Sequence, residues 1–145
     1  MSPKAKLVVD ASVAIKWYIP EPHSAKAVPL LDGRVQLLAP DLLTAELGNI
    51  LWKKTRAGEI TKEDAAGIAE AFVSVCPVTL WSSTLLLQGA LNIATALQRP
   101  IYDALYLALA VAQNCSFFTA DDRLARAITN TKLRPFVRLL STQQS

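Results

Sequence analysis

Four carboxylates stand apart from the charge pattern of this 145-residue chain: Asp10, Glu46, Asp103 and Asp121. Asp10 ends LVVD, Glu46 interrupts LLTAELGNIL, Asp103 interrupts IYDALYLALA and Asp121 follows FFTA. An ionised carboxylate in such apolar surroundings needs a cation, a hydrogen-bond donor or a proton. The whole chain has only one His and two Cys, so nitrogen and sulfur ligands are scarce. The acids therefore point to a hard cation held by oxygen, with Mg²⁺ or Mn²⁺ the natural occupant. Ser12 and Thr119 could orient carboxylates through their hydroxyls. Asn49 could donate to a carboxylate or a phosphate, and Asp122 could bind the ion through water.

Taken singly, each residue has a plainer reading. Asp10 is a turn residue after a strand, and Asp103 is a helix N-terminal acid favoured by the macrodipole. Asp121 or Asp122 caps a helix, and Glu46, Asn49 and Lys53 form a water-facing stripe at i, i+3 and i+7. What separates the readings is whether the elements bring the acids together.

Hydrophobic residues make up 52% of the chain and charged residues 19%, which excludes disorder and suits a single domain over 1–145 with a substantial core. The longest apolar runs, 85–97 and 104–112, fall short of the roughly 18–20 residues that span a bilayer. MSPKAK leads straight into LVV and leaves no room for a signal peptide, so the expectation is a soluble cytoplasmic protein. Cys76 and Cys115 each open a strand-like run and read as buried free thiols in a reducing compartment. The formal charge is +3, and with four acids committed to a cation the remaining surface is more basic still. A basic surface around an acidic centre suits a polyanion whose phosphates must reach that centre.

Strand-like and helix-like segments alternate throughout. Strands are expected at 7–9, 35–38, 75–79, 117–119 and 136–140, with Pro77 marking an edge. Helices are expected from a Ser12 cap to about 18, and at 24–31, 42–56, 84–97, 103–113 and 122–128. A further helix opens at Thr61, with Asp64 completing an acidic capping box, and residues 140–145 read as a frayed tail. Such alternation implies a three-layer α/β/α domain around a mostly parallel sheet of about five strands. Ligands in such folds bind beyond the carboxyl ends of the strands. Asp10 and Asp121 directly follow strands, Glu46 lies early in the helix leaving the second strand, and Asp103 opens the helix running back to the fourth. All four are thereby expected on one rim.

At these residues the chain resembles the PIN-domain ribonucleases, particularly the VapC-type toxins of prokaryotic toxin–antitoxin pairs. VVDASVAIKWYIPEP is similar to the first acidic motif, with Asp10 as its acid and Ser12 two residues on. PDLLTAELGNILWK is similar to the second, its Glu-x-x-Asn falling on Glu46 and Asn49. IYDALYLALA matches the third through Asp103, and FFTADDRL the fourth through Thr119 and Asp121. The resemblance implies a PIN-like fold and a metal-dependent endoribonuclease, with a small antitoxin protein as partner and a homodimer.

Water activated by the metal would leave 5′-phosphate and 3′-hydroxyl ends, and a lone His23 excludes a two-histidine transphosphorylation. Lys16, Lys53, Lys54, Arg56, Arg123 and Arg126 are candidates for RNA phosphates, each otherwise a surface charge. Trp17, Tyr18 and Trp52 could stack on bases, or pack in the core or a dimer contact; segment 85–97 reads as core with an exposed part available to pair subunits. Two alternatives stand beside the ribonuclease: a non-catalytic RNA-binding or regulatory module, and an aspartate-based phosphatase. The phosphatase usually wants a second Asp at position 12, where this chain has Ser.

Overall fold

The computed structural model describes residues 3–143. Five strands form one all-parallel sheet: β1 (Ala5–Val9), β2 (Val35–Pro40), β3 (Val78–Trp81), β4 (Ser116–Thr119) and β5 (Val137–Leu139), in the order β3-β2-β1-β4-β5. The helices are α1 (Ala11–Ala14), α2 (Ser24–Ala27), α3 (Leu42–Arg56), α4 (Lys62–Ser74), α5 (Ser83–Leu97), α6 (Ile101–Gln113) and α7 (Asp122–Ala127).

The central strands read as short apolar runs because both faces are covered. Val8, Val9, Leu38, Ala39 and Phe117 have at most 1% of their surface exposed. Helix α6 crosses β1, β2 and β4 and packs on α5. Its residues Ala104 to Ala110 are all buried, so α6 is covered on every side rather than along one stripe. Tyr106 stacks on Phe117 with ring centroids 5.4 Å apart, fixing the helix against the centre of the sheet.

The order of strands sets the site. From β1 the chain steps to β2 and β3 on one side, then returns past β1 to β4 and β5 on the other. Right-handed crossovers place the two sets of connections on opposite faces. The chain therefore diverges between β1 and β4, and a crevice opens at their carboxyl ends.

Several boundaries differ from expectation. Helix α4 runs to Ser74 and the third strand starts only at Val78, after Pro77, on the sheet edge. Helix α6 begins at Ile101, so Asp103 lies within its first turn rather than at its start. Asp10, not Ser12, caps α1, and the rest of the segment to Trp17 is a 3-10 turn. Thr61 and Asp64 do form the expected capping box. The thiols are free, but Cys76 is exposed and Cys115 half-buried, because both lie in connections rather than in strands. The frayed tail is corrected for 140–143: Leu140 is fully buried in a 3-10 turn, and the Ser141 carbonyl accepts from Lys26 Nζ at 2.6 Å. Residues 144–145 lie outside the described residues.

Leu107, 1% exposed at the centre of α6, tests this packing. Leu107→Ala should lower unfolding free energy by about 2–5 kcal/mol in urea denaturation. A loss below about 1 kcal/mol would mean the helix is not the buried centre described.

Candidate active site

Beyond the carboxyl ends of β1 and β4, a cleft of about 230 Å³ is lined by Asp10, Ala11, Ser12, Glu46, Asn49, Ile50, Asp103 and Asp121. The four predicted acids thus meet on one rim, from four separate segments. Asn49 is exposed at the cleft, whereas Asp122 is exposed on the first turn of α7 and does not line it.

Asp10 is held by both neighbouring loops. Ser12 Oγ donates to Oδ1 at 2.5 Å, Val13 N donates to Oδ1 at 3.3 Å, and Thr119 Oγ1 donates to Oδ2 at 2.6 Å. The two hydroxyls also accept from the backbone, Ser12 Oγ across the gap from Ala120 N at 2.9 Å and Thr119 Oγ1 locally from Asp121 N at 3.0 Å. Thr119 is the buried polar residue of the core, and its hydroxyl joins Asp10 to the backbone of Asp121. Both hydroxyl residues singled out in the sequence thus donate a hydrogen bond to Asp10.

Although Asp10 keeps some exposed surface, its carboxyl is pushed up to about 6. Burial is the main cause, three hydrogen bonds oppose it, and the charge of Glu46 adds to the rise. Glu46 is also raised, first by burial and then by the charge of Asp103, against a hydrogen bond from Tyr106 Oη to its Oε1. Tyr106 is raised far above its usual range by burial and by Glu46, so it stays a neutral donor. Tyr106 was not among the residues singled out in the sequence. The available signal was its spacing, three residues after Asp103 on the same helix.

Asp103 carries a partner that the sequence reading also missed. Arg99 Nη2 and Nε lie 2.8 and 3.3 Å from its Oδ2. Arg99 stands four residues before Asp103, next to the Pro100 that precedes α6. Asp121 caps α7 through Oδ1, which accepts from Arg123 N at 2.9 Å and Leu124 N at 3.3 Å. Its plain reading and its place on the cleft are both realised.

One oxygen of each of three acids is taken by protein and the other is not. Among the described residues, no hydrogen bond reaches Glu46 Oε2, Asp103 Oδ1 or Asp121 Oδ2. As the side chains stand, no three His, Cys, Asp or Glu among the described residues are grouped closely enough to chelate an ion. The donor set is nonetheless all oxygen, unclaimed and undercompensated in charge, which fits a hard divalent cation better than any other occupant.

Asp10 gives a stability test with a definite sign. It binds its proton more tightly folded than unfolded, so its contribution to stability is complete below about 3.8 and is lost as pH rises to about 6. The resulting carboxylate destabilises the metal-free protein at neutral pH by roughly 3 kcal/mol. In EDTA, Asp10→Asn should raise the Tm at pH 7.5 by roughly 5–10 °C, with the gain shrinking toward pH 4. A gain that does not change with pH would mean that desolvated charge is not its cause.

Residues 7–129 match the PIN domain family. The chain is 32% identical over 123 residues to Ribonuclease VapC3 of Pyrobaculum aerophilum, covering 83% of this chain and 92% of that one. It is 33% identical over 126 residues to Ribonuclease VapC3 of Mycobacterium tuberculosis, covering 87% and 90%. A crystal structure from Pyrobaculum aerophilum superposes with a TM-score of 0.66 at 23% identity, covering 95% of this chain and 85% of that one, and shares the fold. The chain belongs to the PIN-domain family, among its VapC-type ribonucleases.

Proposed function

We propose that the chain is a divalent-metal-dependent endoribonuclease and the toxin half of a toxin–antitoxin pair, with Asp10, Glu46, Asp103 and Asp121 as the residues that hold the ion. The observation that carries this reading is the cleft between β1 and β4, where four carboxylates gather with one guanidinium, that of Arg99, paired to them among the described residues. The aspartate-phosphatase alternative loses ground to the family match and to Ser at position 12.

When bound, Mg²⁺ or Mn²⁺ supplies charge stabilisation to the phosphodiester and makes water a nucleophile near neutral pH. The protein's part is to hold its oxygens ready. Ser12 and Thr119 brace Asp10 from both sides, Tyr106 fixes Glu46 by Oε1, and the first turn of α7 fixes Asp121 by Oδ1. Arg99 occupies Asp103 Oδ2 and holds that carboxylate while its other oxygen stays available. Water attacks in line, so the products carry a 5′-phosphate and a 3′-hydroxyl. His23, the one histidine, is exposed in a left-handed turn at φ 69° and does not line the cleft, so paired imidazole chemistry has no support. The substrate is single-stranded RNA or a loop, whose backbone can bend into a rim cleft. The enzyme acts in the cytoplasm, restrained by a small antitoxin protein, and works as a homodimer.

Sequencing of RNA ends after controlled expression tests the reaction. The parent should yield 5′-phosphate and 3′-hydroxyl ends, and Asp121→Asn should lower cleavage more than about 100-fold. Thr119→Val, which keeps the ligands but frees Asp10 Oδ2, should cost about 10–100-fold. Cyclic phosphate ends would overturn the hydrolytic route, and RNA binding with no cleavage across varied substrates would favour the non-catalytic alternative. Mg²⁺ should raise the Tm of the parent more than that of Asp10→Asn; equal shifts would argue against a ligand role for Asp10.

The partners are tested separately. Co-expression of the neighbouring small reading frame should relieve growth arrest, and light scattering should give twice the chain's mass. Continued arrest, or a monomer at all concentrations, would count against the respective partner.

A further inference from the structure

A second cavity, of about 520 Å³, adjoins the acidic cleft. It is lined by Lys16, Lys53 and Lys54, by Glu21 and Glu59, and by an apolar floor that includes Ile15 and Ile50. Ser12 and Ile50 line both spaces, and Ala120, beside Asp121, lines the second, so the two form one continuous trough. The charge changes sign along it, from four carboxylates to three ammonium groups against two carboxylates.

The ammonium groups are held in place. Glu21 bridges two of them, with Lys54 Nζ at 2.7 Å from Oε2 and Lys16 Nζ at 3.1 Å from Oε1, and Glu59 adds a contact to Lys54 at 3.2 Å. The side chains of Lys16, Lys54 and Glu21 retain only 9%, 18% and 20% of their surface. Long flexible side chains are thus ordered before any ligand arrives, which lowers the entropy lost on binding. Lys53 differs from its neighbours: it is exposed on the trough and makes no ion pair among the described residues. The other basic candidates lie elsewhere. Arg56 sits over the exposed Trp52 ring at 5.4 Å, and neither it nor Arg123 or Arg126 lines the trough.

The geometry points to the lysine end of this trough as the subsite for the RNA phosphate next to the one that is cut, with Lys53 as its direct contact and Lys16 and Lys54 as the fixed field behind it. This rests on the ribonuclease reading of the acidic cleft. A strand lying along the trough meets carboxylates at the bond to be broken and ammonium groups one step along its backbone. The apolar floor can receive a ribose or a base between them. Four acids repel a polyanion, and a charged neighbour subsite supplies the compensating attraction.

The test is binding of a labelled eight-nucleotide RNA that spans the mapped cut, in an Asp121→Asn background that leaves it intact. Lys53→Gln should weaken binding about three- to tenfold at low salt and reduce the salt slope by about 0.7, the loss of one single-strand phosphate contact. Lys62→Gln, on the exposed start of α4, should change neither. Oligonucleotides carrying one neutral methylphosphonate linkage locate the contact. The Lys53 penalty should vanish when the linkage on one side of the cut is neutral and persist when any other is. In the cleaving enzyme, Lys53→Gln should raise KM more than it lowers kcat.

An equal penalty on every oligonucleotide would reduce Lys53 to a diffuse charge and overturn the subsite. So would unchanged RNA binding combined with weakened capture of the co-expressed partner protein, which would assign the trough to that protein. A parent that cleaves while Lys53→Gln changes nothing removes the subsite alone. A parent that neither binds nor cuts RNA removes the ribonuclease reading and the subsite together.

Discussion

A desolvated carboxylate set where the path of the chain through a parallel sheet reverses is the constraint around which this molecule is organised. Strand β1 ends at Val9, and the next residue, Asp10, sits in the crevice between β1 and β4. No basic side chain meets it there among the described residues. Hydroxyls and a backbone amide do so instead, from α1 on one side and β4 on the other. Because Ser12 and Thr119 also accept from the backbone at Ala120 and Asp121, the same bonds that stabilise Asp10 set the spacing between the two loops. Positioning of Asp121 is thereby linked to the solvation of Asp10.

The remaining acids show graded compensation. Asp103 has a guanidinium, Glu46 has a phenol, and Asp121 has the first amides of a short helix. Neutral donors steady a carboxylate without cancelling its charge, so the cleft remains negative and receptive to a cation. Burial then acts against the fold: Asp10 and Glu46 are both raised, and each is raised further by a neighbouring acid. Local instability of this kind is a common property of sites arranged for function. It is tolerable here because α6 is buried on every side and its Tyr106 is stacked on Phe117.

Much of this was legible in the sequence because a lone acid in an apolar run is costly, and Asp10, Glu46, Asp103 and Asp121 each stood in one. The alternation of strand-like and helix-like segments then predicted a common rim, and the sheet order bears that out. What escaped were side-chain pairings with ordinary local explanations. Tyr106 looks like core, and Arg99 looks like the end of a helix. Glu21, between two prolines, looks like a loop charge, yet it gathers Lys16 and Lys54 from separate helical segments. Asp41 shows the same limit. It immediately precedes α3, but its carboxylate accepts from Ser83 N and Oγ at the start of α5 instead of capping α3. Spacing along a chain reveals partners within an element; partners between elements depend on how the layers come to rest.

The outer strands carry one more implication. β3 has four residues and follows a proline; β5 has three and runs directly into a 3-10 turn. Such stubs offer too few free amides and carbonyls to template a strand from another molecule. The exposed apolar surface lies instead on helix α5, where Leu85, Leu87 and Leu91 stand 75%, 53% and 55% exposed. Truncating the borders in this way guards an all-parallel sheet against open-ended stacking.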